Sequence, residues 1–190
     1  MTPGKCRKCG MALRSGAPAV AAADAGAPIR IPDVTVQDQN GRSLSFYTDL
    51  VKGKTVAINF IFTTCTTTCP LLAANFRKVQ LELGERVGRD VHLISISVDP
   101  LTDIPERLQA FAAQHNAGPG WTFVTGAQPQ IDQLLRGLGT SVADKNSHTP
   151  MILAGNEPAH HWHRVSGLAP AATIVKVINQ AALESVPAVR

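Results

Sequence analysis

The sequence predicts an α/β fold, a central sheet flanked by helices and entered through an N-terminal β-hairpin. Three observations carry this. Apolar runs of strand length alternate with stretches whose apolar residues recur every three or four positions. An Asn-Gly pair separates two short alternating segments ahead of them. Two strand segments then follow one another directly before the last helical stripe, so the order reads hairpin, β-α-β-α-β-α, β-β-α.

Val34 and Val36 start the first alternating strand, Asn40-Gly41 makes the turn, and Leu44 and Phe46 return on the second. Gly53-Lys54 leads into residues 55–62, whose continuous apolar run (broken by Asn59) suits a strand buried on both faces. Leu72, Phe76, Val79, Leu83 and Val87 mark one face of a helix. Ile94, Ile96 and Val98 alternate with serines in the strand 91–98. Asp103 and Pro105 open a helix carrying Leu108 and Phe111. Trp121 to Val124 is a short strand, and Ile131, Leu134, Leu135 and Leu138 form the next helical stripe. Met151–Ala154 and His161–Val165 flank the turn Gly155-Asn156-Glu157-Pro158, and Ile174, Val177, Ile178 and Ala181 make the last helix. A β-β-α ending after βαβ units is thioredoxin-like topology. Active sites of open α/β sheets lie at the carboxyl ends of the strands. That rule directs attention to the loop after Phe62.

Composition limits the function classes. The chain has 190 residues, enough to bury a core without a metal or disulfide staple. Hydrophobic residues make up 44% and charged residues 17%, a globular balance. No apolar run approaches the roughly 18 residues of a membrane span, and no charged segment followed by an apolar stretch marks a secretory signal. The net charge of +4 is mild, with no long Lys/Arg run and no interleaved aromatics, so no nucleic-acid partner is expected. Residues 1–14 read as a short basic knuckle, 15–28 as a flexible linker of small residues, and 29–185 as the folded domain.

The four cysteines form two close pairs, Cys6 with Cys9 and Cys65 with Cys69, a spacing that points to metal or redox chemistry. Thr63-Thr64-Cys65-Thr66-Thr67-Thr68-Cys69-Pro70 follows a buried strand and precedes a helix. Pro70 reads as the first helical residue, which puts Cys69 near the N-cap and Cys65 in the turn before it. The positive end of the helix lowers a thiol pKa there, and the threonines keep the loop polar and open. Two such thiolates can form a disulfide or hold a soft ion such as Cu(I).

The segment from Phe62 to Pro70 resembles the metal-binding loop of the Sco/SenC family of copper chaperones. Gly53-Lys54 ahead of the strand matches as well, and Val98-Asp99-Pro100-Leu101-Thr102-Asp103-Ile104-Pro105-Glu106-Arg107-Leu108 is similar to the family's segment after the next strand. Ser147-His148-Thr149 is similar to its late histidine motif. The resemblance implies a thioredoxin-like fold that binds copper, as Cu(I) or Cu(II), through Cys65, Cys69 and His148. It implies delivery of copper to the dinuclear copper site of cytochrome c oxidase, or maintenance of that site's thiols, with Cys65 and Cys69 cycling between dithiol and disulfide. The partners would be the oxidase subunit carrying that site and a thiol-disulfide reductant. The location would be extracytoplasmic, periplasmic or membrane-tethered, with membrane contact only through a segment absent from this chain. The alternative is a thiol-disulfide oxidoreductase of thioredoxin type, an enzyme without a copper-storage role.

One feature departs from the family pattern. His148-Thr149 is followed by Pro150 where a small or apolar residue is usual. Pro150 occupies the place of the thioredoxin cis-proline and pulls the reading toward disulfide exchange. Two further groups offer accessory metal ligands. Alternation places His161 and His163 on one strand face and Trp162 on the other, so the histidines form either an accessory site or a solvated face. Pro3 to Leu13, holding Cys6 and Cys9, resembles the final segment of a small heavy-metal-binding domain, with half of a zinc ribbon as the alternative.

Overall fold

A computed structural model describes residues 29–140 and 150–184. Seven strands and four principal helices follow in the order β1 (Thr35–Asp38), β2 (Ser43–Ser45), β3 (Thr55–Ile61), α1 (Thr68–Leu83), β4 (Val91–Ser97), α2 (Pro105–Gln114), β5 (Trp121–Thr125), α3 (Gln128–Gly137), β6 (Met151–Asn156), β7 (His161–Ser166) and α4 (Ala171–Leu183). The strands form one sheet in the order β2-β1-β5-β4-β3-β6-β7. The central β5, β4 and β3 run parallel, while β6, β7 and the hairpin pair antiparallel. The thioredoxin-like α/β sheet with an N-terminal hairpin is therefore the fold observed. Among the described residues, no helix is long and apolar enough to cross a membrane.

Every residue of β3 is buried, because helices cover both faces of the sheet. Alternation divides its side chains. Ala57 and Ile61 join Phe76, Val79, Leu83, Leu108, Phe111, Ile174 and Ile178 beneath α1, α2 and α4. Val56, Ile58 and Phe60 join Ile94, Ile96, Val124, Ile131, Leu134 and Leu135 beneath α3. Asn59, the polar interruption, accepts a hydrogen bond from Ser95 Oγ at 2.5 Å, and that hydroxyl accepts one from Trp121 Nε1 at 2.8 Å. The neighbour thus satisfies the buried amide's oxygen, while its NH2 group is buried without a hydrogen-bond partner among the described residues.

The first hairpin turn is built by Asp38. Its buried carboxylate accepts from the N–H groups of Asn40 and Arg42 and from the Arg42 guanidinium, all within 2.9 Å. Burial pushes this carboxyl up, but the N–H groups and the guanidinium outweigh it and hold the pKa below the ordinary value. Gly41 closes the turn with φ +76°.

Four expectations need correction. Phe46 is not part of the returning strand; it opens a helical turn, Phe46–Val51, and is fully buried on the α3 side. Val87 lies beyond α1, which ends where Gly84 takes φ +57°. Pro70 is the third residue of α1 rather than the first, still within the turn whose N–H groups lack intrahelical partners. The link between β6 and β7 is a short helical turn at Glu157–Ala159, so β6 runs on to Asn156. Within β6, Gly155 lies under the Trp162 ring; a Cβ there would sit 2.3 Å from it. The expected knuckle at 1–14 and linker at 15–28 lie outside the described residues.

Candidate metal and redox centre

β3 ends at Ile61, whose carbonyl accepts from Val98 N–H at 2.9 Å, so β3 and β4 finish together. Phe62 continues the chain, and its carbonyl accepts from Cys65 N–H at 3.2 Å. That bond closes the turn carrying Cys65. Three residues later α1 begins, with Cys69 as its second residue.

Asp103 ties down the base of this loop. It is fully buried and accepts from Thr63 N–H (3.1 and 3.2 Å), Thr63 Oγ1 (2.5 Å) and Ser97 Oγ (2.6 Å). The sequence reading placed Asp103 only as a helix-start residue. Its carboxylate instead links the end of β4 and the start of α2 to the chain leaving β3.

The two cysteines, both free thiols, are unlike one another. Cys65 is half-buried, with Thr67 Oγ1 3.8 Å from its sulfur and the Cys69 N–H donating to it at 3.3 Å. Burial pushes the Cys65 thiol up, but hydrogen bonds from the backbone N–H groups of Cys69 and Thr67 outweigh it and bring the pKa down to about 7. Cys69 is fully buried with Ala73 and Phe76. Burial pushes it up to about 12, and the hydrogen bond and charge of Cys65, with the negative charge of Asp103, act in the same direction.

This corrects the expectation of two open, activated thiols. The free N–H groups at the start of α1 favour a thiolate, as expected, but they are spent on Cys65. Cys69 sits on the inward side of the first turn, where the core takes it.

His148 and Thr149 lie outside the described residues, as do Cys6 and Cys9. The structure places Cys65 and Cys69 together, and the Thr149–Pro150 bond lies outside the described residues with the third expected ligand. It does describe how the chain approaches β6. Ile152 pairs with Asn59, so β6 begins beside the carboxyl end of β3, the end that carries the cysteine loop. Pro150 accepts from Gly167 N–H at 2.9 Å, and Gly167 packs against Leu72 of α1. His161 and His163 are on β7 at the opposite end of the sheet, with Trp162 on the other face as alternation requires. Beside them stands Glu184, which the sequence reading missed because it follows α4, far along the chain.

The comparisons with known proteins fit this arrangement. The family model for SCO1/SenC matches residues 26–186, most of the chain. The chain belongs to the SCO1/SenC family. It is similar to a SCO1 protein homologue of Bacillus subtilis (strain 168), 38% identical over 102 residues, 52% of this chain and 51% of that protein. It is also similar to a Stutzerimonas stutzeri protein named for copper binding, 29% identical over 109 residues, 57% of this chain and 52% of that protein. The matches thus span about half the length of these curated relatives. Among solved structures, BsSco, a member of the Sco family of cytochrome c oxidase assembly proteins in which a disulfide switch was identified, aligns with a TM-score of 0.65. It is 26% identical, with 83% of this chain and 96% of that chain covered. The SCO1/SenC domain here carries both cysteines on the loop after β3, where the fold concentrates its chemistry.

Proposed function

We propose that this SCO1/SenC protein binds one copper ion through Cys65, Cys69 and His148 and serves the assembly of the dinuclear copper site of cytochrome c oxidase. The observation that carries the reading is the Cys65–Cys69 pair, tied by the 3.3 Å bond from Cys69 N–H to Cys65 Sγ at the carboxyl end of β3. Two thiolates suit Cu(I), and an added imidazole lets the same set hold Cu(II). The copper here is cargo. Cys65 is half ionised near neutral pH and meets it first; Cys69 surrenders its proton only when the metal takes its place. The relative named for copper binding and the oxidase-assembly role of BsSco's family support this reading.

The unequal thiols favour a second activity of the same pair, dithiol–disulfide cycling. A thiolate near pH 7 attacks an incoming disulfide, and the neighbouring thiol resolves the mixed disulfide. In this reading the protein works outside the cytoplasm, where such a pair can be oxidised, with a thiol reductant as its second partner.

The test is an anaerobic copper titration of the full chain carrying Cys6→Ser and Cys9→Ser, beside the same protein with Cys65→Ser or with His148→Ala. One copper per chain is expected, with sulfur-to-metal absorption in the Cu(II) form. Cys65→Ser should abolish that band. If His148→Ala keeps the parent's Cu(II) affinity and spectrum, the three-ligand centre is wrong and disulfide exchange becomes the primary activity.

A further inference from the structure

The end of the sheet opposite the cysteine loop holds a second group of ligand-type side chains. His161 and His163 alternate along β7 and so share a face. Their rings stand 4.7 Å apart between centroids, inclined at 60°. Glu184, directly after α4, reaches both: its Oε1 lies 3.0 Å from His163 Nε2 and its Oε2 2.6 Å from His161 Nδ1. The ligand atoms of all three residues fall within 4.8 Å of one another. Glu184 Oε2 is shielded from solvent, yet no hydrogen bond is aimed at it despite the close approach of His161.

The position is fixed from behind. Asn156 Nδ2 donates to the Glu184 carbonyl at 2.9 Å, tying the end of α4 to the end of β6. Asn156 pairs with His161 across the β6–β7 ladder, so the same residue registers both halves of the group. His163 and Glu184 are half-buried while His161 is exposed, which leaves one side open to an ion.

The geometry points to a second metal site formed by His161, His163 and Glu184, taking a divalent transition-metal ion, with Cu(II) the tightest-bound. Two imidazole nitrogens and one carboxylate suit Cu(II) and Zn(II), and the general affinity order puts Cu(II) above Zn(II). The set has no thiolate. It therefore discriminates against Cu(I), and no ligand is present to reduce a bound Cu(II). β3 separates it from the cysteine loop by about 20 Å of strand, because His161 lies across β6 from the start of β3 while Cys65 follows its end. The two centres share no ligand, and this one stands whether or not the copper reading of the cysteines does.

The test uses the full chain with Cys6→Ser, Cys9→Ser and Cys65→Ser; buried Cys69 stays to preserve the core. Copper(II) sulfate titration followed by electron paramagnetic resonance should show one Cu(II) with nitrogen coupling and no sulfur-to-copper absorption. His161→Ala, His163→Ala and Glu184→Gln, each added singly, should each weaken binding by more than about tenfold. His148→Ala in the same background should leave it unchanged. Cu(II) should also broaden the amide signals of residues 161–164 and 182–184 before those of 63–70, a readout that needs no further variant. Unchanged binding in both histidine variants, loss of binding in His148→Ala, or broadening centred on the cysteine loop would each overturn the site. Failure here leaves the sulfur-to-copper band of the protein with intact Cys65 and Cys69 untouched, so the two readings fail separately.

Discussion

The backbone N–H of Cys69 donates to the sulfur of Cys65 at 3.3 Å, so the buried cysteine's own main chain stabilises the thiolate of its half-buried partner. One side chain meets solvent as a nucleophile at neutral pH; the other waits protonated in the core. Three predictions rest on this loop and on Asp103, which holds it; a fourth concerns the β6–β7 hairpin.

Alkylation should separate the thiols. In the full chain carrying Cys6→Ser and Cys9→Ser, Cys65 should react with iodoacetamide along a titration centred at about pH 7. Its pKa is lowered, so raising the pH through 7 populates the reactive form, and the rate should climb about tenfold between pH 6 and pH 8. Cys69, pushed up to about 12, should stay unlabelled across that range until the protein is unfolded. Peptide mapping by mass spectrometry reads both.

Mixed disulfides should form at one position only. With a small aromatic disulfide as oxidant, Cys69→Ser should trap a stable adduct on Cys65. Cys65→Ser should leave Cys69 free in the native state, because burial denies it both charge and access. Intact protein should pass through the Cys65 adduct to the Cys65–Cys69 disulfide. Adducts of equal yield in the two variants would refute the asymmetry.

Replacing Asp103 should loosen the loop. Asp103→Ala strands the Thr63 N–H and removes the acceptor of the part-buried Thr63 and the buried Ser97 hydroxyls. Loss of the buried partner should cost about 1–3 kcal/mol in urea unfolding. Asp103 also raises the Cys69 pKa, so the variant should let Cys69 ionise at lower pH. Thiolate absorbance against pH would detect it.

Gly155→Ala should destabilise the β6–β7 hairpin. The new methyl would sit 2.3 Å from the half-buried Trp162 ring. Overpacking of this kind costs about 1–3 kcal/mol. Thermal unfolding should report the loss, and tryptophan fluorescence should show the ring displaced.

Much of the framework is legible from local pattern. The apolar run before Cys65 and the three- and four-step stripes in α1, α3 and α4 each record which side of an element faces the core, so their periods survive folding. The centre was legible as a place, since a Cys pair between a buried strand and a helix has one location in this fold. Its asymmetry was not. Whether a cysteine at a helix start points outward or inward depends on where the helix begins, and α1 begins two residues before Pro70 rather than at it. Asp103 and Glu184 escaped for another reason. Each acquires its role from residues distant in the chain, Thr63 for one and the β7 histidines for the other, and sequence spacing carries no trace of such meetings. Phe46–Val51 was missed because a single helical turn, buried only at Phe46 and Val51, is too short to show a period.

The hairpin at the start of the domain has a consequence for solubility. β1 lies along β5 through Gln37–Thr125 and Asp38–Val124, and Gln39 accepts the Phe123 N–H at 2.9 Å. Without these residues β5 would be the outermost strand, with a row of bare amides beside Trp121 and Phe123. The border passes instead to β2, three residues long and bearing Ser43 and Ser45, too brief and too polar to recruit a strand from another molecule. The hairpin is thus a hem, sewn along the margin that would otherwise fray into aggregates.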